Sequence, residues 1–179
     1  MAEKEEYAIV LDYLPYGYPT GGSRSSVAQA VGVKTFSLLE LIPRRGIVLA
    51  VKEKVYIGPE KRDKIYFIKG RLQREKLTET AKAQLQEFIE GTVTEKEKEF
   101  VGFFNKAQPI NTRLHQLELL PGFGKKHTKE VVDAREEKAF ESFEDIKTRV
   151  KSIPDPKKAI EKRFMEELTE RQRFNLFVR

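Results

Sequence analysis

Residues 119–126 read Leu119-Leu120-Pro121-Gly122-Phe123-Gly124-Lys125-Lys126, and their reading decides the second half of the chain. Leu114, Leu117 and Leu120 before them, and Val131 and Val132 after them, are spaced as the apolar faces of helices. That spacing predicts one helix over roughly 112–119 and a second over roughly 125–137, joined by a glycine-rich turn. Gly122 and Gly124 open backbone conformations closed to residues with a Cβ and let a ligand approach the main chain. The second helix begins near Gly124, so its first amides lack internal acceptors and sit at the positive end of the helix dipole. Such a terminus attracts anions. Lys125 and Lys126 are expected to add mobile positive charge there, with Lys129 and Arg135 further along. Phe123 is expected to pack back into the core and fix the turn. The expected device is a clamp for a nucleic-acid backbone, with little reading of base edges.

This stretch resembles the helix-hairpin-helix family of nucleic-acid-binding motifs. The likeness extends from about 111 to 150. Arg135 ends the second helix as family members do. Phe140-Glu141-Ser142-Phe143-Glu144-Asp145-Ile146 resembles the segment that usually follows, with Ser142 capping a third helix, Asp145 supporting the cap, and Ile146 and Val150 packed beneath the hairpin. Thr128 departs from the Ala that many members carry. The resemblance implies contact with phosphates through Gly122, Phe123, Gly124, Lys125, Lys126, Lys129 and Arg135. It leaves open a monovalent cation on the loop carbonyls and implies no other cofactor.

Working outward, residues 7–14 read as a strand, 15–26 as a turn-rich loop, and 35–42 as a second strand. Ile47, Leu49 and Val51 alternate as a strand face does, Lys52-Glu53-Lys54 reads as a tight turn, and strands follow at 55–57 and 64–72. This pattern predicts a small, OB-like β-barrel over 1–76. From Leu77 the period changes. Leu77, Ala81, Leu85, Phe88 and Ile89 share a helical face, Thr78 is placed to cap it, and Gly91 is placed to end it. Thr94-Glu95-Lys96-Glu97 is a capping pattern for a helix that buries Phe100, Val101 and Phe104 and stops before Pro109. Asn111 is placed to cap the helix before the hairpin. Asp155 and Pro156 open a last helix with Ile160, Phe164 and Leu168 inward. The expected fold is α+β: a β-domain over 1–76, then an all-α domain over 77–179.

The whole chain also resembles a small archaeal family of uncharacterised proteins, through Val55-Tyr56-Ile57-Gly58, Phe103-Phe104-Asn105-Lys106-Ala107, the run from Arg113 to Leu120, and the Phe140–Ile146 segment. That resemblance implies an OB-like domain followed by a helical one. It also implies an archaeal role near translation, ribosome biogenesis or transcription, which tilts the expected ligand toward RNA over DNA.

Composition is consistent with this reading and narrows it. The 179 residues carry 34 Lys and Arg against 28 Asp and Glu, a net charge of +6, which favours polyanionic partners only mildly. There is no Cys, which excludes disulfides and iron–sulfur clusters, and with only His115 and His127 no metal site is expected. Met1 to Glu6 lacks the apolar core of a signal peptide, and no apolar run is long enough to span a membrane. A cytoplasmic protein is expected.

No catalytic residue is expected. Asp145 lies near the spacing of a glycosylase aspartate past a hairpin, but Ser142-Phe143-Glu144-Asp145 reads as a helix start. Glu95, Glu97 and Glu99 do not share a helix face. Asp12 reads as a satisfied strand residue. In the β-domain, Arg44, Arg45, Tyr56, Tyr66, Lys69 and Arg71 are candidates for a second, basic and aromatic face that stacks bases. The alternative to nucleic-acid binding is a protein-interaction adaptor, and a nuclease or glycosylase is the weaker third reading.

Overall fold

Tyr7–Leu14 (β1) alternates buried and exposed side chains over its first residues and forms a strand of the only sheet among the described residues. The computed structural model describes residues 4–179, so Met1 to Glu3 of the acidic N-terminal stretch lie outside the described residues. β2 (Val27–Gly32), β3 (Leu38–Pro43), β4 (Lys54–Tyr56) and β5 (Ile65–Arg71) complete a sheet of order β4-β1-β2-β3-β5. Every pairing is antiparallel. Register shifts between Val10 and Asp12 and twice along β3 bend it, as bulges do. β4 and β5 lie at the two edges and, among the described residues, do not pair with each other, so ladder hydrogen bonds do not close the expected barrel.

One face of the sheet buries Ala8, Val10, Ala28, Ala30, Leu41, Val55 and Ile65. Leu49 and Ile57 complete this core from loops. The expected strand at 47–51 is not formed. Leu49 points inward and Val48 is 77% exposed, as the alternation requires, but the segment has no partner strand. The turn expected at Lys52 is present, with Lys52 at φ +75° and Glu53 N–H donating to Ala50 O. β2 has no counterpart among the strands that the sequence pattern predicts. Every residue of Val-Ala-Gln-Ala-Val-Gly is buried, so the central strand lacks the alternation that marks a half-exposed one. β3 starts at Leu38, three residues later than the expected 35, because the β2–β3 turn occupies Val33 to Ser37.

A polar row crosses this sheet through direct neighbours Asp12, Gln29 and Glu40. It anchors the first helix, α1 (Glu79–Glu95). Thr78 Oγ1 accepts the Ala81 amide at 3.0 Å and donates to Asp12 Oδ2 at 2.6 Å. Gln29 Oε1 accepts the Thr78 amide at 3.1 Å. Leu77, Ala81, Leu85 and Ile89 are buried as their spacing predicts, with Val93 added and Phe88 half-buried. The helix runs past Gly91 and breaks at Lys96 instead. Thr94 donates back to Glu90 O and so continues α1 rather than capping α2 (Glu97–Lys106). Phe100, Val101 and Phe104 are buried on α2 as expected.

The chain forms two compact units, one of residues up to Glu87 together with Glu167–Arg179, the other Phe88–Glu166. The second unit holds α2, α3 (Lys125–Glu137), α4 (Phe143–Arg149) and most of α5 (Pro156–Thr169). Asp155 caps α5 by accepting the Lys157 and Lys158 amides, with Pro156 at its first position. In the first unit, the buried Glu167 carboxylate accepts the amides of Leu176, Phe177 and Val178, and Arg179 N–H donates to Thr35 O. The C-terminal segment thus joins the sheet's unit without becoming a helix or a strand. Among the described residues no helix is long and apolar enough to cross a membrane.

Candidate nucleic-acid interface

The turn at 120–124 has the conformation its glycines allow. Gly122 adopts φ +83°, and a Cβ there would lie 2.9 Å from Pro154 Cγ. Its bareness is therefore needed by the fold. Gly124 differs: its backbone is extended, at φ −114° and ψ −170°, and nothing lies within 4 Å of a Cβ built there. Gly124 is the glycine that leaves the main chain open from outside. Phe123 is buried and packs against Phe104 with ring centroids 6.1 Å apart. Its amide donates to Leu120 O and closes the turn.

α3 begins at Lys125 as expected. Gly124 N–H donates to His127 Nδ1 at 3.1 Å, and Thr128 N–H donates to Gly124 O. Thr128 is buried and its hydroxyl also donates to Gly124 O, so this departure from Ala tightens the first turn. Among the described residues, the amides of Lys125, Lys126 and His127 have no acceptor. They are the free end of a 13-residue helix.

The element before the turn is not the helix expected over 112–119. It is a 3-10 turn of Gln116–Leu119 preceded by a folded loop. Asn111 Oδ1 accepts the amides of Arg113 and Leu114, which diverts the backbone into a side-chain-closed turn. Pro109 bridges His115, and Gln116 N–H donates to Gln108 O, so the chain doubles back on itself. Asn111 caps this turn and no helix. The segment is turn, hairpin, helix.

Lys125 is not a mobile charge either. Its ammonium donates to Arg113 O at 2.6 Å and to Glu118 Oε1 at 3.1 Å. Glu118 Oε2 accepts the His115 amide at 2.8 Å, and His115 Nδ1 accepts the Leu117 amide. Burial pushes the Glu118 carboxyl up, but the His115 amide and the Lys125 ammonium outweigh it and hold the group below the usual carboxylate value. Burial, helped by the Arg135 guanidinium and opposed by Glu118, lowers the His115 imidazole below its ordinary value. Lys126 and Lys129 are exposed, and among the described residues neither side chain makes a hydrogen bond or ion pair.

Arg135 is half-buried and donates to Phe104 O at 3.1 Å, at the end of α2. Ser142 Oγ accepts the Asp145 amide, and Asp145 Oδ2 accepts the Glu141 amide, a reciprocal cap on α4. The Glu141 amide is the main cause that lowers the Asp145 carboxyl below its usual value. Arg149 donates to Asp145 and to Ala134 O and Lys138 O, tying the end of α3 to α4. Ile146 and Val150 are buried. Among the described residues no group of three or more His, Cys, Asp or Glu is placed to hold a metal.

The basic and aromatic candidates of the β-domain do not share one surface role. Tyr56 is folded over Gly58, with its hydroxyl accepting the Glu60 amide and its ring edge-on to Tyr7. Lys69 pairs with the buried Glu40 at 3.5 Å. Arg44 donates to Arg62 O, and Arg45 is exposed in the turn after β3. Tyr66 is 62% exposed on edge strand β5, edge-on to Phe67. Arg71 is exposed at the end of β5 and lines a groove with Lys34 and Arg62. Lys34 and Arg62 carried no local motif that could have marked them.

Comparison with known proteins assigns kinship. A family model described as protein of unknown function (DUF655) matches residues 4–179. The uncharacterized protein MJ0038 of Methanocaldococcus jannaschii is 42% identical over 177 residues, covering 98% of this chain and 80% of that protein. The crystal structure of Af1531 from Archaeoglobus fulgidus, of the same family, superposes with a TM-score of 0.83 at 44% identity, covering 98% of this chain and 100% of that one.

Proposed function

This chain belongs to the DUF655 family, and from that premise we propose that it binds nucleic-acid backbones, RNA in preference to DNA, through the hairpin and the first turn of α3. The observation that carries the reading is the set of acceptor-free amides at Lys125, Lys126 and His127 beside the open Gly124 and the uncommitted Lys126 and Lys129. Aligned amides at a helix start favour a phosphate oxygen, and the two lysines add charge that counterions must leave. The hairpin works as a variant of helix-hairpin-helix in which a 3-10 turn replaces the first helix. The bent sheet is read as an OB-like half-barrel. No catalytic role is assigned, since the hairpin's polar side chains serve as caps and braces.

A phosphate clamp of this size gives weak, salt-dependent binding. Fluorescence anisotropy with structured RNA, single-stranded RNA and duplex DNA at 50 and 200 mM salt tests it. Binding to RNA that weakens with salt supports the reading. A second reading, a protein-interaction adaptor, is favoured by the exposed Tyr66 and Phe67 on edge strand β5, whose outer edge has no partner strand among the described residues. It takes over if no nucleic acid binds at the lower salt.

A further inference from the structure

A groove of about 730 Å³ lies in the first unit, between the segment after β4 and the inner side of β5. Its volume falls in the roughly 300–1,000 Å³ range of small-ligand clefts. Leu39, Ile57 and Ile68 supply an apolar floor. Cations ring it: Lys34 from the β2–β3 turn, Arg62 from the loop before β5, and Arg71 from the end of β5. The sheet brings these three together from distant points of the sequence.

The ring is held in place. Glu5 lies over Gly32, where any Cβ would collide with its carboxyl group. That carboxylate accepts the amides of Lys34 and Thr35 and the Thr35 hydroxyl. Phe36 completes the same turn at φ +61°, a conformation non-glycine residues rarely take. Glu5 thus fixes the turn that presents Lys34, and its charge is committed to that task. Arg62 Nε donates to Gly58 O at 2.8 Å, which anchors the guanidinium of a residue that lines the groove. Among the described residues, no hydrogen bond or ion pair holds the side chains of Lys34 or Arg71. Glu6 is the remaining carboxylate on the lining, and Lys4 stands beside it.

We propose that this groove is a second binding site, for a segment of single-stranded nucleic acid whose bases lie on the apolar floor and whose phosphates meet Lys34, Arg62 and Arg71. The proposal shares with the hairpin reading only the class of ligand. An apolar floor inside a cationic ring fits a ligand that is flat and apolar at its centre and anionic along its edge. Unstacked bases on a phosphate backbone have that character, whereas a duplex hides its base faces. Guanidinium groups suit the edge, because their planar fork pairs with phosphate oxygens and their faces stack on bases. The site would supply the preference for single strands that a backbone clamp lacks.

The test is anisotropy of the full chain with an eight-residue oligouridylate and with an eight-base-pair duplex, both labelled, at 50 mM salt. Three proteins are compared: the parent, Lys34→Glu/Arg71→Glu, and Lys126→Glu/Lys129→Glu, each checked for an unchanged circular-dichroism melt. Lys34→Gln/Arg71→Gln serves if the charge reversal disturbs folding. The groove variant is expected to lose about tenfold on the single strand and to keep its duplex binding within twofold. Its salt slope for the single strand should fall by roughly 1.4, from two lost phosphate contacts. Binding of oligouridylate within twofold of the parent overturns the groove site, as does a parent that binds no single strand. Displacement of oligouridylate by an oligoglutamate peptide at equal concentration also overturns it. If the hairpin variant alone binds as the parent does, the hairpin reading fails and the groove stands.

Discussion

Lys125 Nζ lies 3.1 Å from Glu118 Oε1, so the first lysine of α3 is tied back to the turn that precedes the hairpin. The pair converts an expected phosphate ligand into a brace. It also ties a carboxylate to the first residue of the helix proposed to receive an anion. Glu118→Gln keeps an oxygen for the His115 amide while removing the charge. Affinity of the hairpin for duplex nucleic acid should then rise about threefold at 50 mM salt, with the gain shrinking at higher salt. Anisotropy titrations of the variant and the parent check this, and a loss of affinity would count against the clamp.

The two hairpin glycines should separate stability from binding. Gly122→Ala places a Cβ at φ +83° and against Pro154, and should cost about 1–3 kcal/mol. Gly124→Ala meets open space in an extended conformation, and should cost no more than about 1 kcal/mol at a helix N-cap. Its methyl group would still add bulk on the open main chain from which the ligand is proposed to approach. Urea denaturation together with binding should show Gly122→Ala less stable and Gly124→Ala nearly as stable but weaker in binding.

Acid should loosen this corner in two steps. His115 is held below its ordinary 6.5 and Glu118 below its ordinary 4.5. For both groups the unfolded chain takes up protons first as the pH falls, so stability present at neutral pH is lost on the acid side. The His115 contribution goes first, below 6.5, as the pH passes through its lowered folded value. That of Glu118 goes below 4.5. Denaturation midpoints of the parent and of Glu118→Gln should converge toward the acid end, since the variant lacks only the second step. Midpoints that diverge there would show that the Glu118 pairing does not stabilise the fold.

The α1 cap should be sensitive to a single hydroxyl. Thr78→Val removes both the acceptor for the Ala81 amide and the donor to Asp12 Oδ2. Loss of the cap alone costs about 1 kcal/mol, and stranding Asp12 adds to it. Thr78→Ser should recover most of the difference. Thermal melts of the three proteins decide it.

The features that could be read from sequence are those decided within a few residues. Thr78, Ser142 with Asp145, and Asp155 with Pro156 are caps whose partners lie within four positions. The start of α3 is as local. Leu114 and Leu117 have the spacing of a helix before the hairpin, but Asn111 offers the backbone a competing turn, and the turn is what forms. β2 escaped because a strand covered on both faces has no period to detect. The Lys125–Glu118 pair spans a turn whose geometry the spacing does not define. Lys34, Arg62 and Arg71 meet only through sheet register, and no local pattern predicts that. The α+β order, by contrast, followed from the change of period at Leu77.

The central claim rests on Lys126 and Lys129, the exposed lysines of the first turns of α3 whose side chains make no hydrogen bond or ion pair among the described residues. Affinity for structured RNA should be measured for the parent and for Lys126→Glu/Lys129→Glu at 50 and 200 mM salt, after the variant's melt is shown to match. The clamp predicts at least a tenfold loss at 50 mM salt and a shallower salt dependence by roughly 1–2 in slope. Equal affinity and an equal slope in the two proteins would contradict it.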